Sequence, residues 1–186
     1  MKYIKTYEAR TLGISVIGYH KSQKLNHMLK ADFRLEYSNA GLFGNAIYFT
    51  ESSNIAFGSG YYCCKFKISL TKPILDMNKE ITIDEASKLL YTFNKIYNTN
   101  ITFDDYKDIN EIEDINTIDS IQYGDLFGDD ILGWNIHLRD FIQNQLGYNS
   151  FMYYQDRWTD FSPEKTDYGR CYGVYDHTKI KYLETL

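Results

Sequence analysis

A chain of 186 residues is most simply a single domain, residues 1–186, and is long enough to bury a core. Its 20 lysines and arginines against 25 aspartates and glutamates give a net charge of −5 without any basic block. That balance argues against direct binding to a nucleic-acid backbone and is compatible with a basic protein partner. No apolar run approaches the length of a membrane span, and the first residues lack the apolar centre of a secretion signal, so a cytoplasmic protein with no membrane partner is expected.

In chain order, residues 1–7 alternate apolar and polar side chains and read as a short strand, and residues 10–13 as a turn. The apolar run 14–19 reads as a buried strand delivering His20, Lys21 and Ser22, with Ser22 placed to cap a short helix over 23–30. Gly41 and Gly44 bracket a bend before the aromatic strand 46–50, in which Tyr48 and Thr50 share one face and Ile47 and Phe49 the other. A single helical turn is expected over 52–57. Residues 61–70 alternate well enough to predict a half-buried strand, with Tyr62, Cys64, Phe66 and Ile68 on one face.

Asp84 is placed to cap an amphipathic helix running to about residue 97, with Ala86, Leu89, Leu90, Phe93 and Ile96 at core spacing. Residues 98–128 are acidic and polar with isolated isoleucines. They read as an insertion with short helices, whose acidic part, Asp104 to Asp119, is a solvated face or else a dock for a basic partner. A second helix is expected from residues 128–130 to about 146, stopped by Gly147, with Trp134 packed inside. Strands follow over 148–155, 171–175 and 180–183, with a loop over 157–168. Strands, then helices, then strands, with no βαβ alternation, predict an α+β fold of split, mostly antiparallel sheets with two main helices.

Few residues carry chemistry. Cys63 and Cys64 are adjacent and point to opposite faces of a strand, so they do not share a metal; with Cys171 they read as reduced packing residues. His27, His137 and His177 show no ligand spacing, and no metal is assigned. A strand ending in His20, a glycine bend and the run Ile47-Tyr48-Phe49-Thr50 would set an imidazole, open backbone and aromatic faces around one cleft, which suits a flat, charged, ring-bearing ligand such as a nicotinamide nucleotide. His20 fits a ligand role or a satisfied core histidine, and Tyr48 and Tyr61 fit ring stacking or ordinary sheet positions.

Residues 15–77 resemble the nicotinamide-binding half of the ADP-ribosyltransferase superfamily, on its diphtheria-toxin and poly(ADP-ribose) polymerase side. The carriers of this resemblance are His20-Lys21-Ser22, then Phe43-Gly44-Asn45-Ala46-Ile47-Tyr48-Phe49, then Ala56 and the pair Tyr61-Tyr62. The later stretch Gly133-Trp134, Leu146-Gly147-Tyr148-Asn149-Ser150 and Gln155-Asp156 is similar to phage anti-CRISPR ADP-ribosyltransferases. The resemblance implies sheets around an NAD cleft and NAD as co-substrate. It also implies transfer of ADP-ribose to a protein, with a CRISPR effector complex as one target, in a host cytoplasm if the chain is phage-encoded.

In that reading His20 orients the ribose, the backbone of Lys21 bonds the carboxamide, Ser22 assists the carboxamide or the ribose, Tyr48 and Tyr61 frame the nicotinamide, and Asp156 is the catalytic carboxylate. Breaking the glycosidic bond of NAD builds positive charge on the ribose, as in glycoside hydrolysis, and a fixed carboxylate beside it is worth roughly 3 kcal/mol. Two departures stand out. Lys21 replaces a glycine, and Cys171 stands where many members carry a glutamate. Asp160, Glu164 and Asp167 are reserve carboxylates, and Lys24, Lys30 and Arg34 could line a groove for a nucleic-acid acceptor. The rival readings are an inactive binding protein on the same scaffold and a transferase acting on nucleic acid.

Overall fold

The computed structural model describes residues 13–23, 43–44, 46–55, 61–70, 73–128, 130–154 and 169–186. The strand expected over 1–7, the helix over 23–30 beyond its first residue and the whole loop over 157–168 lie outside the described residues. The strands are β1 (Ile14–Ser22), β2 (Ile47–Thr50), β3 (Tyr62–Leu70), β4 (Leu75–Asp76), β5 (Glu80–Thr82), β6 (Ser120–Gln122), β7 (Ser150–Tyr154), β8 (Arg170–Val174) and β9 (Ile180–Thr185). Between them run helices α1 (Ile83–Tyr97), α2 (Asp104–Ile109), α3 (Tyr123–Phe127) and α4 (Leu138–Asp140), the last passing directly into a π-helical turn, Phe141–Gln145.

The architecture is α+β and mostly antiparallel. Seven strands lie in the order β4-β7-β8-β2-β1-β3-β9, with β4 and β7 parallel, and β5 and β6 form a separate ribbon. The expectation of split sheets is thus modified: one sheet spans the molecule, but its two halves are barely stitched. β1 and β3 pair from Ile14↔Leu70 to Ser22↔Tyr62, and β2 and β8 from Ile47↔Val174 to Thr50↔Cys171. β1 and β2 share the single pair Tyr19↔Thr50.

Two cores hold this arrangement. One lies between β4-β7-β8-β2 and the helices, and includes Phe93 of α1, Phe127 of α3, Phe141, Phe151 and Tyr175. The other joins the two halves of the sheet directly, Ile47, Phe49, Tyr172 and Val174 packing with Phe66, Ile68, Leu70 and Ile180. The faces alternate as the strand period requires, so β2 is covered on both sides, with Phe49 in one core and Tyr48 packed against the other.

Two glycines make these contacts possible. Gly18 of β1 lies between Phe49 of β2 and Phe66 of β3, whose rings meet edge to face at 5.5 Å. A Cβ on Gly18 would sit 2.6 Å from Ile68 Cδ1 and 2.8 Å from Phe49 Cβ. Gly173 of β8 repeats the device on the other face: it pairs with both Tyr48 and Phe151, whose rings meet over it at 5.7 Å. A Cβ there would lie 1.9 Å from Phe151 Cζ.

Several local expectations are corrected. The run 14–19 is a strand but not a buried one, since Ile14 and Ile17 are each 40% exposed and only Gly18 is buried. Ser22 ends β1. Helix α1 is capped not by Asp84 but by Thr82, whose hydroxyl accepts from Glu85 N while the Glu85 carboxylate accepts from Thr82 N; Asp84 instead pairs with Lys88 at 2.5 Å. Ile96 faces solvent.

The second helix starts only at Leu138. Residues 130–137 form hydrogen-bonded turns in which Trp134 has φ 63, a left-handed conformation that no helix contains and that is rare for a bulky residue. Trp134 is accordingly 53% exposed rather than packed. Gly147, at φ 79, ends the π turn as expected. Within the acidic stretch 98–128, Tyr106, Ile121, Leu126 and Phe127 are buried in the helical core.

The glycine gaps give a direct test. Gly18→Ala should cost about 1–3 kcal/mol, as overpacking does, read as a lower urea midpoint. Gly173→Ala should cost more, because its Cβ would lie 1.9 Å from a buried ring atom, a deeper overlap than the 2.6 and 2.8 Å contacts at Gly18.

Candidate functional site

The sequence-predicted residues of β1 stand at its C-terminal end, where His20, Lys21 and Ser22 pair with Cys64, Cys63 and Tyr62. They follow immediately on Tyr19, the one β1 residue paired with β2, so they occupy the point where the halves of the sheet part.

The His20 ring is tied across this junction. Its Nδ1 lies 2.8 Å from the main-chain carbonyl oxygen of Tyr48, and its ring sits 5.9 Å from that of Phe49. A carbonyl only accepts, so Nδ1 carries the proton and donates. Burial holds the imidazole below its ordinary pKa, partly opposed by this bond to Tyr48. The resulting neutral Nδ1–H tautomer leaves Nε2 as the lone-pair nitrogen, suited to accept a hydrogen bond from a hydroxyl.

Tyr48 fixes the glycine bend. Its hydroxyl accepts from Phe43 N at 2.9 Å and donates to the Gly44 carbonyl at 3.2 Å. Tyr175, wholly buried, donates to the Phe43 carbonyl at 2.8 Å. Gly44 has φ 81, which a side chain would strain, and the Cβ position is 3.0 Å from Arg139 N. Two tyrosine hydroxyls thus staple residues 43–44 to β2 and to the residue that follows β8.

The structure therefore brings His20 and Tyr48 together. Tyr61 precedes β3 beside the partner of Ser22 and is 92% exposed, its ring standing in solvent. Asp156 and the reserve carboxylates Asp160, Glu164 and Asp167 lie outside the described residues, as do Lys24, Lys30 and Arg34. Cys171 is wholly buried between Thr50 and Tyr153, with its thiol directed to the Gly169 carbonyl at 3.7 Å.

Sequence reasoning missed the charged cluster flanking Cys171. Glu51, the residue after β2, donates its N–H to the Arg170 carbonyl at 3.0 Å. Its carboxylate accepts from the Tyr172 hydroxyl at 2.5 Å and stands 3.7 Å from the Arg170 guanidinium. Arg170 in turn donates from Nε to the Tyr154 hydroxyl at 3.1 Å and lies over that ring, 5.1 Å from its centroid. Burial, with the Glu51 carboxylate beside it, raises the Tyr172 hydroxyl to about 12, so it stays a donor. Glu51 and Arg170 are 119 positions apart and only the β2–β8 register joins them. Among the described residues no group of three His, Cys, Asp or Glu could hold a metal ion.

In comparisons with known proteins, no family model, no curated protein and no solved structure matches this chain.

Two measurements check this geometry. Tyr48→Phe removes the hydroxyl from the bend and should cost about 1 kcal/mol, with more if Phe43 N is left without a partner. His20 has a folded pKa below the ordinary 6.5, so the unfolded chain binds its proton first as the pH falls. Its contribution is fully present above pH 6.5 and is lost as the pH drops toward the folded value. His20→Gln should flatten the stability profile in that window, read by urea unfolding at a series of pH values.

Proposed function

We propose that this chain is a mono-ADP-ribosyltransferase that moves ADP-ribose from NAD to a protein acceptor and releases nicotinamide. One observation carries the reading: a neutral histidine whose Nδ1–H is held by the Tyr48 carbonyl, at the place where β1 and β2 separate. Such a ring is held in a fixed direction beside this opening, and holding the sugar still is much of what this reaction needs.

The donor set fits a nicotinamide nucleotide in kind. His20 supplies an acceptor for the ribose, the main chain of Lys21 would meet the carboxamide with its long side chain turned away, and Ser22 adds a hydroxyl. In the reaction the bond between the ribose anomeric carbon and the nicotinamide nitrogen breaks, and its electron pair leaves with nicotinamide. A nucleophile on the acceptor bonds to that carbon and gives up a proton. The anomeric carbon is most positive midway, and Asp156 is the carboxylate assigned to face it. The net charge of −5 favours a basic protein target, of which a CRISPR effector complex is one example, over a nucleic-acid acceptor.

A second reading has its own observation. Cys171 is buried at the position where a carboxylate would be expected, and its neighbour Arg170 brings a positive charge. That favours a binding protein on the same scaffold, without turnover.

Nicotinamide release from NAD, with and without a host lysate, separates the two. For the transferase, release requires the lysate, falls a hundredfold or more in Asp156→Ala, and falls in His20→Ala chiefly through weaker NAD binding. Absence of release from the wild type, with a lysate protein co-purifying, would replace the transferase by the binding protein. Unchanged turnover in Asp156→Ala would move the carboxylate role to Asp160, Glu164 or Asp167.

A further inference from the structure

One face of the sheet is left to solvent over β1, β3 and β9. Alternate residues of β3, namely Cys64, Phe66, Ile68 and Leu70, point into the core and are at most 1% exposed. The residues between them point the other way, and side chains directly opposite one another in an antiparallel ladder share a face. The register therefore lays two rows across the three strands, Ile17–Lys67–Lys181 and Tyr19–Lys65–Glu184. Lys67 and Lys181 are exposed, as is Ile17. Lys21, two residues beyond Tyr19, lies on the same face. On these three strands the face thus carries four lysines and one carboxylate, in a chain whose net charge is −5.

Lys65 is neutralised by Glu184 at 2.7 Å. Lys67 and Lys181 form no ion pair among the described residues and stand directly opposite each other. Like charges so placed destabilise a sheet, and a carboxylate set between them turns the repulsion into attraction. A nucleic-acid backbone is a poor occupant, because it binds through many lysines at once and Glu184 stands among these few.

The chain carries the complement itself. On α2, Asp108 and Ile109 lie three and four positions after Asp105, hence on one face of the helix, and all three are exposed, while Tyr106 faces inward. Asp104 is held by Lys107 at 2.7 Å, whereas Asp105 and Asp108 form no ion pair among the described residues. Cβ atoms so spaced on a helix are about 5–6 Å apart, and those of directly opposed strand residues about 4.5–5.5 Å. Two carboxylates beside an exposed isoleucine therefore answer two ammonium groups beside an exposed isoleucine, opposite in sign and alike in spacing.

We propose that a second copy of this chain docks its α2 on the open face of β1, β3 and β9, with Asp105 and Asp108 pairing with Lys67 and Lys181 around a contact between Ile109 and Ile17. Each copy carries both patches, so two copies that engage both at once close into a pair. This association does not depend on the transferase reading.

Sedimentation equilibrium of the full chain over a dilution series tests it, with the double variants Lys67→Glu/Lys181→Glu and Asp105→Lys/Asp108→Lys. The wild type should self-associate, and raising the salt from about 0.05 to about 0.5 M should weaken this roughly tenfold or more, because exposed charges are screened. Each variant alone should be monomeric, since like charges then meet. An equimolar mixture of the two should associate again, because every acidic patch then finds a basic one. All four positions are exposed, so both variants should melt close to the wild type, and a misfolded variant could not be rescued by mixing. A wild type that stays monomeric at every concentration, with or without binding of an added single-stranded oligonucleotide, would overturn the proposal. So would association unchanged in either variant, or a mixture that stays monomeric.

Discussion

The structure depends on two missing side chains. In an ordinary sheet, residues two strands apart on one face are kept from contact by the side chain between them. At Gly18 and at Gly173 that side chain is absent, and aromatic rings from the flanking strands close over the gap, Phe49 on Phe66 and Tyr48 on Phe151. The gaps lie on opposite faces, one in each core. The first lets the two halves of the sheet share a core although the β1–β2 ladder is a single pair. The second packs β2 and β8 against the helical side. Between them β2 is gripped from both faces, and a four-residue strand thereby becomes a rigid base.

Rigidity at β2 is what orients the candidate site. The carbonyl of Tyr48 fixes the His20 ring, and the hydroxyl of the same residue fixes the bend at 43–44. One residue thus sets two neighbouring features from its main chain and its side chain. The tautomer of His20 follows from the partner, because a carbonyl demands a proton on Nδ1. Burial favours its neutral form, because a charged imidazole there would lose hydration. The tautomer and the neutral form of this imidazole are thus consequences of packing around β2.

What could be read from the sequence is what local rules decide. Period-two alternation placed β3 and its buried face; 3.6-residue spacing placed α1; Gly147 marked the end of the π turn. Local rules failed where a longer-range choice prevailed. Thr82 took the cap from Asp84 because Glu85 completes a reciprocal pair with it, and the second helix shortened because the chain adopts a left-handed turn at Trp134. Exposure of Ile14 and Ile17 was invisible too, since an apolar run does not say which of its faces is covered. His20 and Tyr48, both singled out in the sequence, come together because they stand at neighbouring strand ends. Glu51 and Arg170 were not, because a pair so distant in sequence is joined only by sheet register.

That cluster also bears on which carboxylate can serve the reaction proposed for this fold. Glu51 adjoins Thr50, whose strand partner Tyr19 precedes His20, so it is near enough to invite the role. Yet it accepts from Tyr172 and faces Arg170 at 3.7 Å. A cation forming farther off would meet a nearly cancelled pair rather than a lone negative charge, and the attraction would be small. The geometry instead suits Glu51 to tying the end of β2 to the start of β8. Arg170 extends the tie to Tyr154, the last residue of β7, which therefore ends beside the row Cys171, Thr50 and Tyr19. The chain that carries Asp156 departs from that point, two residues on. The tie is what Glu51 supplies, so a carboxylate serving the proposed reaction has to come from elsewhere in the chain.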